Sequence, residues 1–183
     1  ELNRVYNTAL ITGGEVHKGY DKIHTYDAFN YRESDTVRPG DELVTFVHDG
    51  VTVGVATCFD IRFPEQFQEL AARGAKVVVV PTSWADGPGK VEQWRILTAA
   101  RALDAGVFIA AADQARPDYE SKAGEPSGPT GAGHSVVVDP FGTRLAEAGY
   151  GPETLVVEID PTDADEARKQ LPLEAIRQHS AMR

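Results

Sequence analysis

The chain has 183 residues, 42% of them hydrophobic and 25% charged, which suits one globular domain with a proper core. Its net charge of −10 argues against a nucleic-acid or anionic-membrane partner, which would want a basic patch. No apolar run approaches a membrane span, no signal peptide is visible, and a single cysteine cannot form an internal disulfide, so a reducing cytoplasm is the expected location.

In chain order, Val5–Thr12 reads as a strand, Gly13-Gly14 as a turn, and Glu15–His24 as a second strand. Tyr26–Asp41 is polar, contains Pro39-Gly40 and reads as loop. Glu42–His48 and Val51–Thr57 flank Asp49-Gly50, a dipeptide suited to a type I′ hairpin turn. Pro64–Arg73 has helical spacing of Phe63, Phe67 and Leu70, with Pro64 at the first position and Gly74 as the stop. Val77–Val80 is β-branched throughout, as in a strand covered on both faces. Val91–Ala105 reads as a helix ended by Gly106, and Val107–Ala112 as another buried strand. Residues 51–112 thus read β-α-β-α-β, two parallel crossover units.

Asp113–Gly133 is rich in Gly, Pro and Ser; a loop of that length in a compact domain is functional or disordered, here a lid or part of a dimer contact. His134–Val138 and Thr143–Ala148 flank a type I turn at Asp139-Pro140-Phe141-Gly142. Thr154–Ile159 reads as a strand, Asp163–Gln170 as a short helix and Leu171–Arg183 as a tail. The pattern predicts a layered α/β sandwich in a single domain, residues 1–183.

Cys58 follows an apolar strand and precedes a helix start at Pro64, a place where substrate can reach a thiol and the helix end favours its thiolate. A lone cysteine is otherwise a small buried hydrophobe. Lys22 and Glu33 are the other candidates, although spacing alone leaves each as readily a solvated surface residue. The five histidines have no ligand-like pairing, so neither a metal nor another cofactor is expected.

Six motifs, in order, resemble those of the nitrilase superfamily of carbon–nitrogen hydrolases. They are Tyr6-Asn7-Thr8-Ala9; Tyr20 to Asp27; Glu33-Ser34 with Pro39-Gly40; Cys58-Phe59-Asp60-Ile61-Arg62-Phe63-Pro64-Glu65, the most specific; Pro81-Thr82-Ser83-Trp84 with Trp94 and Arg101-Ala102; and Gly133 to Gly142. The resemblance implies a four-layer α-β-β-α sandwich, a homodimer or higher homo-oligomer, and a set of one cysteine, one lysine and two glutamates. Position by position, Cys58 is the nucleophile, Lys22 the lysine and Glu33 the supporting glutamate. Lys22 and the Phe59 backbone N–H would stabilise an oxyanion. The family's general-base glutamate precedes the Tyr6-Asn7-Thr8-Ala9 strand, and neither Glu1 nor Glu15 has its context, so the chain is expected to be N-terminally incomplete.

Phe59-Asp60 after the cysteine resembles the ω-amidase and deaminated-glutathione-amidase branch, whose small amides carry a carboxylate. Arg62 is placed to hold that carboxylate, or else to pair with Asp60 or Glu65. Thr82 and Trp84 follow a strand's C-terminal end and are expected to line the pocket, although Trp84 equally suits the core. The implied activity is hydrolysis of a small carboxylate-bearing amide through a thioester. The alternatives are an N-carbamoyl amino acid hydrolase and an inactive interaction subunit of the same fold.

Overall fold

A computed structural model of the chain describes residues 4–28 and 31–181. β1 (Thr8–Gly13) and β2 (Val16–Asp21) form an antiparallel pair, with Thr8 opposite Asp21. The segment from Tyr26 to Asp41 is more ordered than its composition suggests. It holds a short hairpin, β3 (Asp27–Ala28) and β4 (Tyr31–Arg32), followed by a 3-10 turn at Glu33–Asp35. The Glu33 and Tyr26 backbones join at 3.1 Å, and the Glu33 carboxylate accepts from the Tyr26 N–H, which closes the segment.

β5 (Thr45–His48) and β6 (Val51–Val55) form the expected hairpin, with Asp49 (φ 47°) and Gly50 (φ 78°) both left-handed at its tip. α1 (Pro64–Ala72), β7 (Val77–Thr82), α2 (Lys90–Ala105) and β8 (Phe108–Asp113) follow, and β6, β7 and β8 are parallel neighbours. Gly74 and Gly106, in left-handed conformations costly to other residues, lie just beyond the two helices. β9 (Val136–Val138) and β10 (Arg144–Glu147) add antiparallel strands, giving a six-stranded sheet of order β10-β9-β8-β7-β6-β5. The Asp139–Gly142 turn between them is held by the Asp139 carboxylate, which accepts from the Phe141 and Thr143 N–H groups.

α1 and α2 supply Phe67, Leu70, Trp94 and Ala102 to the core, against Val78, Val80, Ile109 and Val138 of the sheet. Each large apolar side chain so buried contributes about 1.5–3 kcal/mol. Val77–Val80 is not covered equally on its two faces: Val78 and Val80 are fully buried, while Val77 and Val79 are half-buried.

Two expectations near the C-terminus are corrected. Thr154–Ile159 forms no strand: it joins no ladder among the described residues, and Val156 is exposed. After α3 (Thr162–Gln170), the expected tail instead forms α4 (Leu173–Ala181), started by Pro172, whose carbonyl accepts from the Ile176 N–H at 3.1 Å. Met182 and Arg183 of that tail, like Glu1, lie outside the described residues. No helix among the described residues is long and apolar enough to cross a membrane.

Candidate active site

The Cys58 position is built by the turn that leaves β6. Cys58 has a left-handed backbone (φ 49°), a conformation that costs a non-glycine residue about 1–2 kcal/mol. Cys58–Arg62 then makes a 3-10 turn before Pro64 opens α1. Asp60, fully buried, fastens this turn to the end of β2. Its carboxylate accepts from the Thr57 N–H (2.8 Å), the Tyr20 hydroxyl (2.6 Å) and the His24 N–H (3.0 Å), with the His24 ring at 2.8 Å. The His24 ring stacks on Phe63 at 3.6 Å. Lys22 lies between Tyr20 and His24, so the contacts that fix the cysteine turn also fix the lysine.

Lys22 and Glu33 form a buried ion pair at 2.6 Å. Burial alone would push Glu33 up; hydrogen bonds from Lys22, the Tyr26 N–H and the Asn7 side chain outweigh it and hold the carboxyl below its usual range. The Cys58 thiol is pushed up by burial, which the nearby Lys22 ammonium offsets only in part. The α-helix begins only at Pro64, and the thiol packs partly against the core, donating to the Ser83 carbonyl at 3.7 Å.

These side chains line one cavity of about 390 Å³, and all seven residues singled out from the sequence are in its wall: Cys58, Lys22, Glu33, Phe59, Arg62, Thr82 and Trp84. Arg62 makes no ion pair among the described residues. Asp60 is committed elsewhere, and the guanidinium donates to Gln93 at 2.9 Å while lying 5.1 Å from the Trp84 ring. Trp84 belongs to both pocket and core: it packs 5.2 Å from Trp94 and donates its Nε1–H to the Lys90 carbonyl. The Thr82 hydroxyl is turned to the Val80 carbonyl. Phe59 meets Tyr26 edge-on at 5.0 Å. The long loop reaches the same wall through Pro129, whose carbonyl accepts from the Ser83 hydroxyl at 2.7 Å.

Sequence reasoning missed Asn7, Tyr26 and Lys90 in the wall and Asp113 behind it. Asn7 stood inside a quoted motif; Lys90 and Asp113 gave no signal beyond their places at the start of a helix and the end of a strand. Asp113 is buried at the end of β8 and accepts from the Trp84 N–H (2.7 Å) and the Ala132 N–H (3.0 Å), joining the two loops beside the cavity. Burial pushes its carboxyl up to about 6, against the pull of those N–H groups. An unfolded aspartate titrates near 3.9. The folded state therefore keeps a proton between about pH 4 and 6 that the unfolded chain has lost, and stability from this group, complete below pH 4, is lost as pH rises through 6. The shift corresponds to about 3 kcal/mol at most. In thermal melts, the advantage of the natural protein over Asp113→Asn should shrink by that order between pH 4 and 7; a constant difference would contradict it.

The family model described as "Carbon-nitrogen hydrolase" matches residues 1–169. The chain belongs to the carbon–nitrogen hydrolase family. A hydrolase of Mycobacterium tuberculosis (strain ATCC 25618 / H37Rv) is 47% identical over 174 residues, covering 92% of this chain and 62% of the relative. A deaminated glutathione amidase of Escherichia coli O157:H7 is 35% identical over 172 residues, covering 93% and 61%. The chain thus spans somewhat less than two thirds of these relatives' length. Among solved structures, Nit3 of Saccharomyces cerevisiae, a member of branch 10 of the nitrilase superfamily, has a TM-score of 0.78 at 31% identity, over 93% of this chain and 59% of that one. An amidase of Nesterenkonia sp. AN1, with acrylamide added at its active-site cysteine, has a TM-score of 0.64 at 31% identity, over 85% and 56%. The fold is α/β of the nitrilase type. The described part of this chain contributes one six-stranded sheet with its helices, and the separate pairs β1–β2 and β3–β4.

Proposed function

We propose that the protein hydrolyses the carbon–nitrogen bond of a small carboxylate-bearing amide, releasing ammonia through a thioester on Cys58. The observation that carries this reading is the single cavity that gathers Cys58, the Lys22–Glu33 pair and Arg62. The likeness to an amidase whose active-site cysteine takes up acrylamide supports the choice of nucleophile.

In the proposed reaction the Cys58 sulfur attacks the amide carbonyl, and the carbonyl electron pair moves to oxygen. Lys22 and the Phe59 N–H face that oxyanion; donors fixed in advance of the reaction stabilise such charge best. Glu33 keeps the Lys22 ammonium in place. The tetrahedral centre collapses, the C–N bond breaks, and the nitrogen leaves as ammonia after taking a proton. Water then cleaves the thioester to carboxylate and free thiol. The thiol's raised pKa means that a base must take its proton, since little thiolate forms unaided. We assign that role to a glutamate outside this sequence, and read residues 1–183 as one N-terminally incomplete hydrolase domain. Arg62 would hold the substrate's carboxylate. We further propose a cytoplasmic homodimer or larger homo-oligomer, in keeping with the exposed Ile96 and Leu103 of α2.

The test is to mix the protein with glutaramate, quench early and digest. The peptide containing Cys58 should gain the mass of the glutaryl group minus one hydrogen, with one ammonia released per turnover. Ammonia release without any adduct on that peptide, under conditions that preserve thioesters, would refute the covalent route.

A further inference from the structure

The long loop between β8 and β9 has almost no apolar anchorage. Every residue from 117 to 130 is exposed except Ser127, which is half-buried. A stretch with so little buried surface is held closed by its polar contacts. Those contacts converge on one buried ion pair. Asp86 and Arg116 are 2% and 6% exposed, and their charged groups meet at 3.1 Å. The Asp86 carboxylate also accepts from the Gly124 N–H (2.8 Å) and the Gly87 N–H (2.7 Å). The Arg116 guanidinium reaches the Lys122 and Glu125 carbonyls, each at 3.4 Å. Beside the pair, the two backbones run together. The Asp86 N–H donates to the Ser127 hydroxyl (3.0 Å), the Ser127 N–H to the Asp86 carbonyl (3.1 Å), and the Gly131 N–H to the Trp84 carbonyl (3.0 Å). The arm held in this way ends on the cavity. Pro129 and residues 83–85 are in its wall, the Ser83 hydroxyl donates to the Pro129 carbonyl, and the Ser83 carbonyl accepts from the Cys58 thiol.

We propose that Asp86 and Arg116 are positioning residues that set a size limit on what reaches Cys58: they pin residues 122–131 as a fixed rim, closed at Pro129, where a free loop would swing away. A buried ion pair adds little stability beyond what apolar packing would give, but losing one partner strands the other. Its use here is geometric, since both charges sit in bonds that fix one loop position. The cavity of about 390 Å³ is near the lower end for ligand pockets, as such a rim requires. This inference rests on the reading of Cys58 as the reacting group, not on an amide as its substrate.

Cys58 is the only cysteine, so alkylation reports on this site alone. The experiment measures its rate constants with small iodoacetamide and with bulky fluorescein maleimide, each relative to free cysteine. Taking the maleimide-to-iodoacetamide ratio cancels changes in the thiol's own reactivity. The ratio should be well below one in the natural protein and rise about tenfold or more in Asp86→Ala and Arg116→Met, whose loop opens more often. Arg116→Lys keeps the charge, though not the fork, and should stay within about threefold of the natural ratio. Ser127→Ala keeps the pair but loses one bond, and should raise the ratio about threefold. Arg168→Met is the control for general loosening: it removes donors to the Ala71, Ala75 and Gly106 carbonyls, outside the loop, and should leave the ratio unchanged. A natural ratio near one, a ratio unmoved in folded Asp86→Ala, or an equal rise in Arg168→Met would overturn the proposal. Should the two pair variants fail to fold, Ser127→Ala decides, and an unmoved ratio there overturns it. Glutaramate hydrolysis is followed in parallel. If the ratio moves as stated while no amide is hydrolysed, the rim stands and the amidase reading falls; if the amide is hydrolysed and the ratio does not move, the reverse holds.

Discussion

Replacing Cys58 by alanine should abolish amide hydrolysis, on the scale of the roughly 10⁶-fold loss seen when a covalent nucleophile is removed. The fold should survive. The side chain is half-buried, its one hydrogen bond among the described residues is the long one to the Ser83 carbonyl, and the turn is held by Asp60 rather than by the thiol. Alanine also tolerates the left-handed backbone of position 58 no worse than cysteine does. The comparison therefore isolates chemistry from stability, and steady-state ammonia release with a parallel thermal melt is the measurement. Cys58→Ser is the sharper control: it keeps size and hydrogen bonding but replaces a thiol with a hydroxyl, a weaker nucleophile near neutrality. Residual turnover in the alanine variant above about 1% of the natural rate would mean that the sulfur carries no acyl group. An inactive interaction subunit, by contrast, would show no turnover even before the substitution.

The elements that follow local rules were legible in the sequence. The Asp49-Gly50 hairpin, Pro64 at the head of α1, and Gly74 and Gly106 after the helices each reflect a backbone constraint set by one or two residues. The site residues were legible for a different reason. Cys58, Lys22 and Glu33 are far apart in sequence, and no periodicity joins them; motif resemblance named them, and their shared cavity is a product of tertiary structure. What brings them together is Asp60, a buried carboxylate read at first only as one letter of a motif or as a partner for Arg62. The misread segments failed through context. Thr154–Ile159 has strand-like alternation but pairs with no strand among the described residues, and Leu173–Ala181, read as tail, forms a short exposed helix opened by Pro172. Lys90 was invisible because a lysine opening a helix is ordinary until the wall it faces is known.

Separating the structural from the chemical work of the buried pair calls for both single variants and the double variant at Lys22 and Glu33. Lys22→Met leaves the Glu33 carboxylate buried with only Asn7 and the Tyr26 N–H as partners. Glu33→Gln leaves a buried ammonium facing an amide. Breaking a buried ion pair from one side costs about 3–5 kcal/mol, because the surviving charge stays in a medium that solvates it poorly. Here the remaining N–H donors to Glu33 should keep Lys22→Met near the lower end. The double variant removes both charges, and its stability loss should be well below the sum of the two, a coupling of about 1–3 kcal/mol in denaturant titrations. Turnover should follow the opposite rule. Lys22→Met and the double variant should each lose at least about 10²–10³ in kcat, the scale for removing one oxyanion donor, and the double variant should recover none of it. Stability recovers because neutrality is restored; catalysis does not, because no cation remains to meet the developing oxygen charge. A double variant that regained both stability and rate would reduce Lys22 to a structural counter-ion and leave the oxyanion to backbone donors alone.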